Sequence, residues 1–500
     1  KSIMINQNLK FISFFLILFF SACSTENKKP NVIIIYADDL GFGDVSAYNQ
    51  GTLNTPNIDR IANNGIKFTN GHSSSATCSP SRYALLTGSY PWRNSKAKIS
   101  TGASMIIDTN QKTLPKMFKE NNYSTGIVGK WHLGLGDGQI NYNSKISPGP
   151  NEIGFDYSYI MPDTQDRVPT VYIEDGYVKN LDKNDPLYVS FKSNFDNQPT
   201  GKKNPEMLTM KWHHGHFNSI INGISRIGFM KGGKRAHWSD IDMADHFLNK
   251  AKSYILNNKN KSFFLFYSMQ QPHVPRTPHP RFKGKSGMGP RGDVIVEADW
   301  CIGELYKTLE DENLLENTLI IISSDNGPVL NDGYFDDAVE KIGNHTPSGI
   351  YRGGKYSLFE AGTRVPFISY WKGVIKPKNS DKLISQIDLF NSLSSIIKSE
   401  IKTSDSYDLS ELLLKGVGKE REELILEASG KTALKYQNWV LIPPYKGKAV
   451  STYTNVELGR SNTFQLYNLK TDPSQKVNLA NQKKEKLTEL IKIYNKVISN

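Results

Sequence analysis

Four short apolar runs, each closing on polar residues, constrain the fold of this chain more than any other feature. Val32 to Tyr36 is β-branched and apolar, the pattern of a strand buried on both faces, and Asp38-Asp39 stand at its carboxyl end. Thr125 to Val128 leads into Gly129-Lys130-Trp131-His132-Leu133-Gly134, and Phe263 to Tyr267 leads into Gln270-Gln271-Pro272-His273. Leu319 to Ile322 leads into Ser323-Ser324-Asp325-Asn326-Gly327. Between these runs lie helix signals. Thr55-Pro56 opens a helix that stops before Gly65, Thr113 opens one through Asn121, Asp240 caps one to about Asn257, and Asp293 to Asn313 reads as helical. The alternation predicts an α/β fold built on a doubly wound, mainly parallel sheet. In such sheets ligands bind beyond the carboxyl ends of the strands. Asp38, Asp39, Lys130, His132, His273, Asp325 and Asn326 are therefore predicted to converge.

That set carries chemistry. Adjacent carboxylates repel one another unless a cation neutralises them, and with Asp325 and Asn326 they form an all-oxygen donor set suited to a hard divalent ion. A second stretch points at the same chemistry: Cys78-Ser79-Pro80-Ser81-Arg82, followed by Leu86-Thr87-Gly88. Ser79 is a good N-cap, Pro80 fits a first helical turn, and Arg82 to Leu86 reads as helix. Cys78 then sits just ahead of a helix N-terminus, where free N–H groups favour anions, and Arg82 can turn back toward it as a fixed cation. The arrangement suits a tetrahedral oxyanion.

The run Cys-x-Pro-Ser-Arg with Leu-x-Thr-Gly resembles the modification signature of the formylglycine-dependent type I sulfatases of the alkaline-phosphatase superfamily. Arg352-Gly353-Gly354-Lys355 with Phe359-Glu360-Ala361-Gly362-Thr363-Arg364-Val365-Pro366 is similar to the same family, as is Gln465-Leu466-Tyr467-Asn468-Leu469 near the end. The resemblance implies that a maturation enzyme oxidises Cys78 to formylglycine (3-oxoalanine). It implies calcium held by Asp38, Asp39, Asp325, Asn326 and an oxygen of modified Cys78. It further implies that hydrated residue 78 attacks sulfur while Arg82, Lys130 and Lys355 hold the sulfate oxygens. His273 then protonates the leaving alcohol, and His132 takes the proton that lets the aldehyde re-form.

A formal charge of +12, from 61 basic and 49 acidic residues, suits a polyanionic substrate, and no nucleic-acid motif accompanies it. His213, His214, Arg276, His345 and Arg352 are candidates to line a sugar site. A sulfated polysaccharide or its oligosaccharides is the expected substrate, with the sulfated rhamnose of ulvan first and carrageenan second. Three cysteines make no disulfide framework. Cys301 falls in an apolar helical stripe. The apolar run Phe11 to Phe20, ending Ser21-Ala22-Cys23, has the form of a signal peptide with a bacterial lipobox, although Phe20 stands where leucine is usual. Lipidation of Cys23 would tether the enzyme to the cell envelope, its only membrane contact. The expected organisation is leader 1–23, tether 24–30, catalytic domain 31–430 and a C-terminal α+β subdomain 431–500, with strands at Trp439 to Ile442, Ala449 to Tyr453 and Phe464 to Asn468 closed by a helix from Lys483 to Ile498. Two other readings compete. One is a phosphomonoesterase or phosphodiesterase of the same fold, with a Ser or Thr nucleophile and two zinc ions. The other is a non-catalytic glycan-binding lipoprotein.

Overall fold

The computed structural model describes residues 29–49, 51, 53–97 and 99–499. The leader and Cys23 lie outside the described residues. Among the described residues no helix is long and apolar enough to cross a membrane.

Ten strands form the main sheet: β1 Asn31–Asp38, β2 Ile66–Phe68, β3 Ser124–Lys130, β4 Tyr157–Met161, β5 Ile173–Glu174, β6 Tyr177–Val178, β7 Phe263–Pro272, β8 Thr318–Ser324, β9 Phe367–Tyr370 and β10 Lys378–Ser380. Their spatial order is β10-β2-β9-β8-β1-β7-β3-β4-β5-β6. The central run β8-β1-β7-β3-β4 is parallel throughout, and antiparallel pairs flank it on both sides. Among the described residues the α-helices are α1 Pro56–Asn63, α2 Cys78–Thr87, α3 Leu114–Glu120, α4 Met243–Asn258, α5 Gly289–Asp311, α6 Leu389–Ile396, α7 Ser410–Lys415 and α8 Lys484–Ser499. Successive side chains of a strand face opposite ways. Val32, Ile34 and Tyr36 accordingly join a core completed by α2, α3 and α6. Ile33 and Ile35 join the opposite core under α1, α4 and α5, where Cys301 is also buried. Covering both faces is what makes β1 apolar without alternation.

Three local expectations are corrected. Helix α2 starts at Cys78 behind Thr77, so Ser79 is inside the first turn rather than at the cap. The C-terminal antiparallel sheet begins upstream of residue 431: β11 Glu423–Ala428, β12 Lys431–Tyr436, β13 Trp439–Ile442 and β14 Gln465–Asn468 pair in sequence order, with α8 packed on them. Ala449 to Tyr453 is not a strand. It is part of a turn held by the Val450–Glu457 bridge, and the four strands of the small sheet pair without it.

The small sheet is bound to the body through a buried charge. Lys435 on β12 lies 2.5 Å from Glu360, which Arg364 also meets at 2.6 Å and His72 at 3.4 Å. Burial opposes ionisation of Glu360, but Lys435 and Arg364 hold its carboxyl well below the usual range. Stability from this cluster is therefore present above the ordinary glutamate value and is lost as pH falls through the depressed one. Lys435→Met should lower stability by about 3 kcal/mol, since it strips a partner from a buried ion. Urea unfolding at neutral pH checks this, as a lower midpoint at unchanged slope.

Candidate active site

The site is set by how closely the strand ends approach. Gly129 has φ +116°, and a Cβ there would lie 1.8 Å from the Ser268 carbonyl oxygen, so only glycine lets β3 close on β7. That closure carries Lys130 inward until Nζ meets Asp38 Oδ2 at 2.5 Å. Trp131 is buried and donates from Nε1 to the Gly134 carbonyl at 2.7 Å, fixing the turn that presents His132. Arg82, also buried, donates from Nε and Nη2 to Asp325 Oδ2 at 3.0 and 2.8 Å and from Nη1 to Ser268 Oγ. Its other neighbour, Asp38, is 4.0 Å from Nη2. Three site residues hold left-handed backbone: Asp39, His132 and Tyr356, with φ of 68°, 54° and 74°. Non-glycine residues keep that conformation at a cost of about 1–3 kcal/mol each, which packing around the site must offset.

The carboxylates form one cluster. Ligand atoms of Asp38, Asp39, Asp325 and Cys78 all lie within 4.8 Å of one another. Asp38 Oδ1 and Asn326 Oδ1 are buried with no hydrogen-bond partner. Orphaned buried acceptors are costly unless something electropositive meets them. Two such oxygens beside crowded carboxylates fit a hard divalent cation. The electrostatics agree: burial and the neighbouring Asp38 push Asp325 up to about 6, a protonation that a cation would make unnecessary. The Cys78 sulfur marks the place that an oxygen of the oxidised residue would take. A second cluster, Asp39, His273 and Asp332, is already bridged by the Lys355 ammonium, 2.9 Å from Asp39 Oδ2 and 2.8 Å from Asp332 Oδ2. A lysine in that position argues against a two-metal site.

Cys78 opens into a cavity of about 360 Å³ that also exposes His132, Asp166, Arg167, His214, His216, His273, Asp332, Lys355 and Tyr356. Burial pushes the Cys78 thiol well up, so as cysteine it is no nucleophile at neutral pH. Burial, and then Lys355, lower His273 to about 4. Its Nδ1 donates to the Val274 carbonyl at 2.7 Å, which leaves Nε2, 3.9 Å from Asp39, on the cavity side. Burial and Lys130 likewise depress His132. His132 Nε2 lies 2.9 Å from Arg167 Nη1 and 3.0 Å from Asp163 Oδ1, the carboxylate to which Arg167 also donates at 3.0 Å, whereas His132 Nδ1 meets no hydrogen-bond partner.

The strand-end residues expected at the site are thus together, as are Cys78, Arg82 and Lys355. The expected sugar-binding residues divide. His214 lines the cavity, and His213 lies behind it at 2.8 Å. Arg276 does not face it: its donors go to Pro272, Leu330 and Val329 carbonyls and to Asp336. His345 is buried against Asp44 at 2.8 Å, and Arg352 pairs with Glu457 at 2.6 Å. These three have structural partners where sugar contacts were expected. Asp163, Asp166, Arg167, Asp332 and Tyr356 were not foreseen. The first three follow directly on β4, a short strand inside a segment that composition marks only as loop.

A parallel α/β core with a buried carboxylate cluster suited to a cation, an inert thiol at a helix N-terminus and flanking Lys and His residues is the site of a sulfuric ester hydrolase, as the family match shows. Residues 30–399 match the sulfatase family model, and the chain belongs to that family. Sulfatases generally use a formylglycine and a divalent metal ion, and Cys78 and its neighbours are the residues here that fit both. Among relatives, an N-acetylgalactosamine-6-O-sulfatase of Bacteroides thetaiotaomicron is 48% identical over 94% of this chain and 93% of its own. Human arylsulfatase A is 28% identical over 90% of this chain and 83% of its own. A solved structure from work on glycosaminoglycan metabolism by B. thetaiotaomicron superposes with TM-score 0.93 at 48% identity, covering 95% of this chain and all of that one. A solved complex with a neocarrahexaose, covering 94% of this chain and 92% of that one, gives a TM-score of 0.65 at 23% identity, a likeness of fold alone.

Ion binding is open to direct test. Calcium added to chelator-stripped protein should raise Tm, because a ligand that binds only the folded state stabilises it by mass action. Asn326→Ala should cancel most of the shift, and calorimetric titration should show the matching loss of affinity.

Proposed function

We propose that this chain removes the 6-O-sulfate from an N-acetylgalactosamine unit of a glycosaminoglycan-type oligosaccharide, using calcium and a formylglycine made from Cys78. The observation that carries the reading is the position of Cys78: first residue of α2, at the floor of the cavity, with ligand atoms of three carboxylates within 4.8 Å of its own. The sugar is taken from the relative that is 48% identical across 94% of the chain. It is preferred to carrageenan, which a likeness of fold supports, and to ulvan.

The oxidised, hydrated residue 78 would supply the nucleophile, and the cation at Asp38, Asp39, Asp325 and Asn326 would draw charge from the sulfate. Around them the protein's own groups are already placed. Lys130 and Lys355 remain protonated: burial opposes this, but the carboxylates of Asp38 and of Asp332 with Asp39 outweigh it. Both ammonium groups can therefore hold sulfate oxygens. Arg82 keeps Asp325 in place from behind. His273, with Nδ1 committed to a carbonyl, offers Nε2 to the leaving oxygen. Its low value makes it a strong acid once protonated, which suits an alkoxide leaving group. His132 lines the same cavity as Cys78; with its Nε2–H donating to Asp163, the partnerless Nδ1 keeps a lone pair to take the proton that lets the aldehyde re-form. In this reading the leader and lipidated Cys23 hold the enzyme at the cell envelope, and a separate maturation enzyme acts on Cys78.

Sulfate release from 6-O-sulfated N-acetylgalactosamine, beside ulvan and carrageenan oligosaccharides and a small aryl sulfate, tests the substrate. The amino sugar should be turned over fastest. Turnover of the aryl ester with none of any sugar would refute the carbohydrate assignment. Peptide mass spectrometry of active enzyme should find residue 78 without sulfur, and Cys78→Ala should be inert. His273→Ala should cost about 10²–10⁴-fold in kcat on the sugar and far less on an aryl sulfate, whose phenolate leaves without a proton.

A further inference from the structure

Beyond the residues that meet the sulfate, the mouth of the cavity has an exposed aromatic edge. His214 lines the cavity, and the Tyr453 ring stacks on it with centroids 4.6 Å apart and planes 11° apart. Tyr453 is nevertheless 57% exposed. One face of its ring is covered by His214, so the open area is the other face, turned to solvent. Its hydroxyl makes no hydrogen bond among the described residues. Phe335, 61% exposed, stands edge-on to His213 at 4.8 Å. Large aromatics so open to water are unfavourable for folding and mark binding surfaces when they border a pocket.

The position is also rigid. Asn331 donates to the Tyr453 carbonyl at 3.2 Å, and the Ser451 and Leu458 amides donate to the Val456 and Ala449 carbonyls at 2.8 and 2.7 Å. The loop strand carrying Phe335 is fixed by the His213 amide to Gly333 and the Phe335 amide to Lys211. A ring held at this angle with one free flat face suits the C–H face of a pyranose.

We propose that Tyr453 is a stacking platform for the sugar unit joined to the sulfated one, a subsite outside the sulfate pocket. The proposal rests on the carbohydrate reading above. It makes the C-terminal subdomain part of the substrate site, and it means that binding to the neighbouring sugar is separable from the chemistry at sulfur.

The test compares 6-O-sulfated N-acetylgalactosamine with a disaccharide carrying the same unit at its non-reducing end, using wild type, Tyr453→Ala and Tyr453→Phe. One aromatic contact is worth about 0.5–1.5 kcal/mol, so Tyr453→Ala should raise KM for the disaccharide about three- to tenfold with kcat unchanged. The monosaccharide should be unaffected, and Tyr453→Phe should match wild type on both. Equal losses on both substrates, or an unmoved KM for the disaccharide, would overturn the platform while leaving the sulfatase reading intact. Failure of wild type to hydrolyse either sugar would overturn the carbohydrate reading, and the platform with it.

Discussion

Charge balance at one end of the sheet governs this molecule. Four buried carboxylates, Asp38, Asp39, Asp325 and Asp332, meet three buried cations, Arg82, Lys130 and Lys355. Arg167 pairs with Asp163 and His216 with Asp166, and burial depresses His132 and His273. Carboxylates therefore outnumber cations in the central group, and Glu427 on the same cavity adds to the imbalance, so these groups alone do not favour a sulfate monoester. A divalent cation held there would offset that excess and favour the anion, and Asp38 and Asn326, whose Oδ1 atoms lack partners, are among the residues that would hold it. Ion and substrate binding are thus linked by electrostatics before any bond changes.

This balance also explains why the groups are so deeply buried. In water a lysine and a carboxylate at contact gain little, whereas inside the protein the interaction is several times stronger and any missing partner is correspondingly costly. Arg82 illustrates the point. It is a likely-looking sulfate ligand from sequence, one turn into a helix whose start faces the anion site. In the structure its guanidinium is committed to Asp325 and Ser268. It holds the Asp325 carboxylate in position, and a substitution of Arg82 or Asp325 would leave an unpaired buried charge behind. Removing Asp325 outright would therefore disturb the fold as well as the ion, whereas Asn326 carries no such obligation.

Most of this end of the sheet was legible in the sequence because two simple rules overlap there. A β-branched run ending in acid or amide places the donor at a strand's carboxyl edge, and a cysteine with Pro80 and Arg82 places the reactive residue at a helix start. Where the rules had no purchase, the reading failed. The strand Tyr157–Met161 is five residues long inside a glycine- and asparagine-rich stretch, so β4 was missed, and with it the Asp163, Asp166 and Arg167 that its own end delivers. Loop arginines and histidines were over-read as sugar ligands because sequence shows a side chain's chemistry but not its partners. Arg276, Arg352 and His345 are occupied by carbonyls and carboxylates whose approach depends on tertiary structure.

The misread stretch at 449–453 bears on how such an enzyme acquires selectivity. Its apolar and aromatic residues have the composition of a strand, yet β11 to β14 pair with one another and not with it. It becomes a turn, and its tyrosine lies over His214 at the cavity mouth. The groups around the ion and Cys78 belong mainly to the ends of sheet strands and to α2, where a shift of one residue would break the charge balance. The mouth is formed by His213 and His214, by Phe335 in the loop after β8 and by Tyr453 of the C-terminal subdomain, although Asp332 and Lys355 of that same loop belong to the charge balance. Substitutions at Phe335 and Tyr453 can alter which sugar fits without touching a buried charge, so sulfate chemistry and selectivity are separated side chain by side chain rather than segment by segment.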